Sequence, residues 1–369
     1  MKFSCEKYSL QNACTIAARA AAAKSPIPAL EGLLIKAGAD VSVTGFDLKK
    51  GIKTNIGADV AQLGSIVVNA RLFGEIIRKL PDGIVTITTD NLTVNVRCGK
   101  SDFNIMGISA EDYPELPEVD HEDDIVLQEK NLRSMIGQTL FAVSDNEARP
   151  IYTGALFDAE SESITMVAVD GYRLARRTEK LAEKHEQPCR FIVPGSALGD
   201  VERICEDVDD PVRIAVGSKH ISFFIRETVL VTRRIEGEFL NYKKSIPDSF
   251  RHELKISRAE FMSVIDRVSL IINEKNSSPV RLIIDDGVIR CTCATPIGKA
   301  EDVCLCKGSG EGLEIGFNDR YLMDALKNAA KDELLFCLNT ASAPSILKAA
   351  DGSDSFTYMI LPVRLRANG

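Results

Sequence analysis

The densest chemical potential in this 369-residue chain is thiol. Ten cysteines occur, four of them as Cys291-x-Cys293 and Cys304-x-Cys306. An antiparallel hairpin over that span would gather four sulfurs, the donor set of a structural zinc site. Geometry opposes the idea, because residues two apart on a strand share a face about 6.6 to 6.8 Å apart. Tetrahedral Zn–S bonds of about 2.3 Å need sulfurs roughly 3.8 Å apart. These cysteines are read as small buried or half-buried hydrophobes, and no metal is expected.

Phosphate chemistry fares no better. Gly99-Lys100-Ser101 resembles the end of a phosphate-binding loop, but Val94 stands where that motif needs its first glycine, and the tripeptide falls between strands rather than before a helix. The Gly308 to Gly312 run lacks a strand-to-helix context and reads as a flexible connection. The four histidines, His121, His185, His220 and His252, fall in expected linkers, loops or turns. None belongs to a nucleophile, metal or general-base motif. Carboxylates are abundant, yet none forms a recognisable acid-base pair. The expectation is a non-catalytic protein without cofactor, working by shape.

Charge narrows the partners. Lys and Arg number 45 against 53 Asp and Glu, a formal −8, which argues against gripping nucleic acid by uniform phosphate neutralisation. No run approaches a membrane helix, the start MKFSCEKYSL has no apolar core or cleavage site, and the thiols are scattered; a cytoplasmic location is expected.

The elements repeat. A short strand leading into a helix occurs from Lys2, Ile125 and His252, and a strand-helix-strand pattern from Ser65, Arg190 and Gly312. Both landmarks recur about every 125 residues, so the chain reads as three tandem α+β modules, 1–120, 125–248 and 249–369. Each carries two helices, with apolar spacing such as Leu72, Ile76, Ile77 and Leu80. Alternation in IVTITTDNLTVNVR, broken at Asp90-Asn91, and in PVRIAVGSKHISFFIR, broken at Gly217-Ser218, indicates antiparallel hairpins. The segments 112–124 and 239–253 read as linkers, and the alanine run from 17 ends a helix at Pro26 and Pro28. The six expected helices sum to +4, leaving −12 elsewhere.

Specific strings then carry a resemblance. Val169-Asp170-Gly171-Tyr172-Arg173-Leu174-Ala175, Glu236-Gly237-Glu238-Phe239-Leu240-Asn241-Tyr242, Ala70-Arg71-Leu72-Phe73, Leu80-Pro81-Asp82-Gly83, Asp112-Tyr113-Pro114-Glu115-Leu116-Pro117 and the ending Leu361-Pro362-Val363-Arg364-Leu365 closely resemble bacterial DNA polymerase III beta subunits, the replicative sliding clamps. The likeness runs in order over essentially the whole chain. It implies a head-to-tail homodimer, a six-module ring whose hole is lined by twelve helices. Twelve helices at about 9 Å spacing leave an opening of about 25 Å, enough for a duplex about 20 Å wide, whereas six would leave about 7 Å. A mildly positive lining in an acidic shell would hold duplex DNA without fixing its register. The implied role is to tether the replicative polymerase, with loading by a separate ATP-driven complex.

The resemblance also implies sites. DNA-facing positions are Lys24, Arg71, Asn146 and Arg149; Pro150 and Ile151 replace aromatics seen in some members. A pocket for short partner peptides with leucine and phenylalanine anchors would be walled by Tyr152, Gly171, Tyr172, Arg173, Leu174 and Leu240, by Lys244, Ser245, Asn318 and Tyr321, and by Ser342, Pro344, Leu361, Pro362, Val363 and Arg364. Its users would be the polymerase alpha subunit, the clamp loader delta subunit, other polymerases, mismatch repair proteins and ligase. Val169 and Leu240 stand where threonine and proline are usual, Asn69 where proline is usual, and Arg366 to Gly369 extend past the usual end. At the dimer seam, Phe103 and Ile105 of one chain would meet Leu270 and Ile271 of the other. The competing reading is a cytosolic thiol-dependent enzyme on a triplicated scaffold, which requires one cysteine of low pKa.

Overall fold

The computed structural model describes residues 1–119, 124–272, 278–353 and 355–365. Their helices are α1 (Lys7–Ala17), α2 (Ala70–Lys79), α3 (Glu129–Gly137), α4 (Gly195–Ile204), the single-turn α5 (Tyr242–Ser245), α6 (Arg258–Ser269) and α7 (Asp319–Asn328). The strands form three sheets, and every pairing between them is antiparallel. The α+β class, with two longer helices per module, is what the periodicity predicts.

Two compact units result, Met1–Arg133 with Gly199–Arg234, and Ser134–Leu198 with Ile235–Gly369. In the first unit, a five-stranded sheet runs Asp59–Gln62, Lys2–Glu6, Ile84–Asp90, Thr93–Cys98, Ser101–Met106. An eight-stranded sheet starts with Ile125–Gln128, Pro211–Val216, His220–Ile225 and Thr228–Arg233, then continues through Lys50–Ile56, Val41–Phe46, Gly32–Ala37 and Gly64–Asn69. Thr228–Arg233 pairs with Lys50–Ile56 residue by residue, so strands of two sequence modules share one sheet. α1 and α2 bury Leu10, Cys14, Phe73 and Ile77 with Phe3, Val85 and Val94 of the five-stranded sheet. Each such side chain contributes about 1.5 to 3 kcal/mol.

In the second unit, one ten-stranded sheet runs Cys189–Pro194, Gly154–Ala159, Ser163–Val169, Arg173–Lys180, Phe356–Ile360, Ser345–Ala349, Glu333–Leu338, His252–Ser257, Gly298–Phe317, Val280–Thr295. The junction again is strand pairing, Arg173 opposite Ile360 through Arg177 opposite Phe356.

Local chemistry explains the element ends. Asn69 accepts a hydrogen bond from Leu72 N at 2.9 Å and caps α2, so asparagine replaces proline at no loss to the helix start. Asn318 caps α7 by accepting from Arg320 N and Tyr321 N. In the first unit, Asp200 of α4 is almost buried and is engaged by Lys50, by Arg19 at 3.8 Å and by Arg203 at 3.6 Å.

Several expectations need correction. The alanine run is helical only to Ala17, then 3-10 to Ala20. The strand carrying Gly45 packs so close to Ala17 O that a Cβ there would sit 2.0 Å away, and such tertiary contact outweighs alanine's propensity. On α2 the inward position is Phe73, while Leu72 is 50% exposed. Gly308 to Gly312 is no connection: it lies within Gly298–Phe317, where Gly308, Glu311 and Gly312 have positive φ at a shift in pairing register. The segment 239–253 is no solvated linker, since Phe239 and Tyr242 join an apolar cluster with Ile246 and Phe250. In 112–119, Tyr113 is buried and its hydroxyl donates to Thr44 O. His185 is buried rather than superficial; His121 and Arg366 to Gly369 lie outside the described residues.

Candidate functional site

The second unit concentrates an unusual set of side chains around the turn joining Ser163–Val169 to Arg173–Lys180. Gly171 there has φ +98°, a conformation that favours glycine. Asp170 fixes the turn by accepting from Tyr172 N at 2.8 Å and Arg173 N at 3.0 Å. Its second oxygen accepts from Arg173 Nε at 2.9 Å, while Asp324 of α7 accepts from Arg173 Nη1 at 2.5 Å. The guanidinium also lies 4.6 Å from the Tyr321 ring centroid and 5.3 Å from that of Phe141. Two carboxylates and two aromatic rings thus hold one nearly buried arginine, a pre-organised arrangement in which charge pairing and cation–π attraction reinforce each other.

Aromatic and apolar surface adjoins it. Tyr172, 62% exposed, stacks on Tyr321 with centroids 6.0 Å apart. Burial, with Asp170 next in weight, raises the Tyr321 phenol pKa, so it stays a neutral hydrogen-bonding group. Leu361 N donates to Tyr172 O at 2.9 Å and Val363 N to Gly316 O at 2.8 Å, which seats the C-terminal segment against both. Leu174 is buried in a cluster with Phe239, Tyr242, Ile346 and Met359, and Tyr152 and Leu240 pack half-buried against it. The Tyr152 ring meets Phe239 edge-on at 5.7 Å.

The structure therefore brings together Tyr152, Tyr172, Arg173, Leu174, Leu240, Tyr321, Leu361 and Val363, with Asn318 at the cap of α7. Lys244 and Ser245 sit on α5 and hydrogen-bond to Asn241. Ser342 and Pro344 lie in the turn before Ser345–Ala349, and Arg364 is exposed. Sequence reasoning missed Phe141 and Asp324, and it passed over Asp170 as a contributor. The Asp-Gly turn signature could have flagged Asp170. Asp324 carried a weaker signal, one turn past Tyr321 on the same helix face.

Of the expected DNA-facing residues, Lys24 is exposed beyond the first 3-10 turn, and Arg71 is exposed on the first turn of α2. Asn146 and Arg149 share an exposed loop, where Asn146 accepts from Ala148 N through its side chain and from Arg149 N through its carbonyl.

Two of the seam candidates, Phe103 and Ile105, lie on an edge strand, and the other two, Leu270 and Ile271, follow α6. Ser101–Met106 ends the five-stranded sheet, and its Phe103 and Ile105 stand opposite core residues Val96 and Val94. Phe103 is nevertheless 41% exposed, on the last strand of its sheet. Val280–Thr295 ends the ten-stranded sheet, and Leu270, just past α6, is 79% exposed.

Burial holds several of the thiols protonated. Burial pushes Cys5, Cys205 and Cys304 up to about 12 and Cys337 to about 11, and raises Cys291 further. These groups are not thiolates near neutrality, contrary to what a thiol enzyme needs. Among the described residues, no three His, Cys, Asp or Glu side chains are grouped to hold a metal, and no helix is long and apolar enough to cross a membrane.

Comparison with known proteins agrees with this architecture. The chain matches the N-terminal domain of the DNA polymerase III beta subunit over 1–117, the central domain over 126–241 and the C-terminal domain over 243–364. It is 32% identical to the beta sliding clamp of Bacillus subtilis, covering 99% of this chain and all of that one. Against that of Staphylococcus aureus (strain Mu50) it is 33% identical, covering 94% of each. A crystal structure of the DNA polymerase sliding clamp from Bacillus subtilis superposes with a TM-score of 0.95 at 31% identity, over 99% of this chain and all of that one. The sliding clamp from Pseudomonas aeruginosa bound to griselimycin gives 0.94 at 26% identity, with the same coverage. Three tandem domains, paired antiparallel sheets and full-length likeness lead to one conclusion: the chain belongs to the DNA polymerase III beta subunit family.

Proposed function

We propose that the chain is a non-catalytic DNA sliding clamp, a homodimeric ring around duplex DNA that confers processivity on the replicative polymerase. The observation that carries this reading is the pair of open sheet edges. One is the strand that carries an exposed Phe103; the other is Val280–Thr295, in the same unit as the exposed Leu270 that follows α6. Edges of this kind are a liability unless paired, and a head-to-tail dimer in which Phe103 and Ile105 meet the partner's Leu270 and Ile271 closes both at once. The three modules run 1–120, 125–248 and 249–369. Lys24, Arg71, Asn146 and Arg149 face the DNA, which is held topologically and without sequence preference.

Partner proteins dock by a short peptide at the site around Arg173. Leucine and phenylalanine anchors lie against Tyr152, Leu174, Leu240, Val363 and their neighbours, while Arg173, Asn318 and main-chain groups fix orientation. The users are the polymerase alpha subunit, the clamp loader delta subunit, other polymerases, mismatch repair proteins and ligase. The setting is cytoplasmic and nucleoid-associated. The test is retention on nicked circular plasmid after incubation with a cognate loader and ATP, followed by linearisation and gel filtration at moderate salt. Release on linearisation is expected; retention on the linear form would mean direct phosphate grip and refute the ring.

A further inference from the structure

The strand Gly64–Asn69 is the last of the eight-stranded sheet, and its outer edge is only partly used. Gly32–Ala37 pairs with it on one side, and a single bridge, Val67 with Ile108, touches the other. Both bonds of that bridge come from Val67, which donates to Ile108 O at 3.0 Å and accepts from Ile108 N at 2.8 Å. Alternate residues of a strand direct their main-chain groups to the same side. Ser65 therefore aims its N–H and C=O along the same outer edge as Val67.

The returning chain does not continue the pairing. Gly107 lets it approach, since a Cβ there would lie 2.7 Å from the Ile66 side chain. After Ile108 it turns away, with Ser109 Oγ accepting from Glu111 N and Ala110 O from Tyr113 N. A cleft of about 480 Å³ opens beside the free edge, lined by Ser65, Ile66, Leu92, Ser109, Ala110 and Glu111 among others. Leu92 and Ile108 are exposed apolar groups here. Glu111 is exposed, and its carboxylate makes no ion pair with the described residues.

We propose that this cleft is a second peptide-binding site, in the N-terminal domain, for a short extended segment carrying a basic and an aliphatic side chain two residues apart. The segment adds to the sheet edge at Ser65. Its aliphatic side chain meets Ile66, Leu92 and Ala110, and its basic side chain meets Glu111. A free donor and acceptor on one strand residue select an extended backbone over a helix, and the unpaired carboxylate selects the charge. The C-terminal domain repeats the bridge at Gly316 and Val363, where the returning chain carries residues of the proposed partner pocket. That parallel rests on the proposed function; the free edge and the cleft do not.

The test is titration of the full-length chain with acetyl-Ser-Arg-Ser-Leu-Ser-amide, followed by methyl NMR and amide exchange. Saturable shifts at Ile66, Leu92 and Ala110 are expected, with slowed exchange across 64–69. Glu111→Lys, or glutamate for arginine in the peptide, should weaken binding about fivefold or more. Absence of shifts, shifts confined to Leu174, Leu361 and their neighbours, or equal affinity for Glu111→Lys would each overturn the proposal. No clamp assay enters the readout, so its failure and that of the ring are separate.

Discussion

Leu270→Ala is the most informative perturbation of the proposed seam. In the isolated chain Leu270 is 79% exposed, so its truncation removes almost nothing from intramolecular packing. In a closed dimer the side chain is covered. Full burial of a leucine contributes about 1.5 to 3 kcal/mol, and scaling for exposure and for the methyl that alanine keeps leaves about 1 to 2 kcal/mol per seam. A symmetric head-to-tail dimer has two identical seams, so every dimer loses about 2 to 4 kcal/mol. That corresponds to a dissociation constant raised about 30-fold to 700-fold. Sedimentation equilibrium over a dilution series measures this directly, with thermal denaturation of the monomeric species as control. Phe103→Ala should act in the same direction, and in mixed dimers the two changes should couple only when they face each other. A dissociation constant changed less than threefold by both variants would refute the seam. So would a monomer melting temperature lowered in proportion, which would place Leu270 in the intramolecular core.

Other outcomes follow from the interior. Asp200→Ala leaves Lys50 without its partner in a nearly buried site, so the first unit should lose about 3 kcal/mol in urea unfolding; Asp200→Leu with Lys50→Met should recover most of it. Asp170→Ala removes the acceptor for Tyr172 N, Arg173 N and Arg173 Nε, and affinity for a leucine- and phenylalanine-bearing partner peptide should fall about tenfold in calorimetry, at roughly one hydrogen bond's net contribution. Folding holds Cys337 protonated up to about 11 and Cys304 up to about 12, whereas an unfolded thiol releases its proton near 8.5. Between those values the native state binds more protons, so stability is fully present below pH 8 and falls as pH rises; urea midpoints at pH 8 and 10.5 should show it, with a shallower fall in Cys304→Ala.

The repeats and hairpins were legible because alternation and period survive without residue identity. Asp90-Asn91 marks a turn in the structure as it does in the sequence, with Asn91 at φ +50°. What was not legible came from long-range contact. The alanine run stops being helical because Gly45 invites a strand against it, and no local signal announces that. Arg173 was visible in its string, but Asp324 approaches from 151 residues away and Phe141 from another element. The segment 239–253 looked polar because its lysines and proline outweighed three aromatic rings that pack against an apolar cluster.

The ten-stranded sheet has a consequence for synthesis. Arg173–Lys180 finds its neighbour Phe356–Ile360 only when nearly the last residues leave the ribosome, since Arg177 pairs with Phe356. At about 5 to 20 residues per second, that edge of the strand, the one away from Ser163–Val169, stays open for about 10 to 35 s in every nascent molecule. Arg176, Arg177 and Lys180 line the waiting edge, and their like charges keep two growing chains from pairing with each other. A chain cut short before 356 would carry that exposed edge permanently, so quality control of truncated products bears on this protein more heavily than on one whose domains close in order.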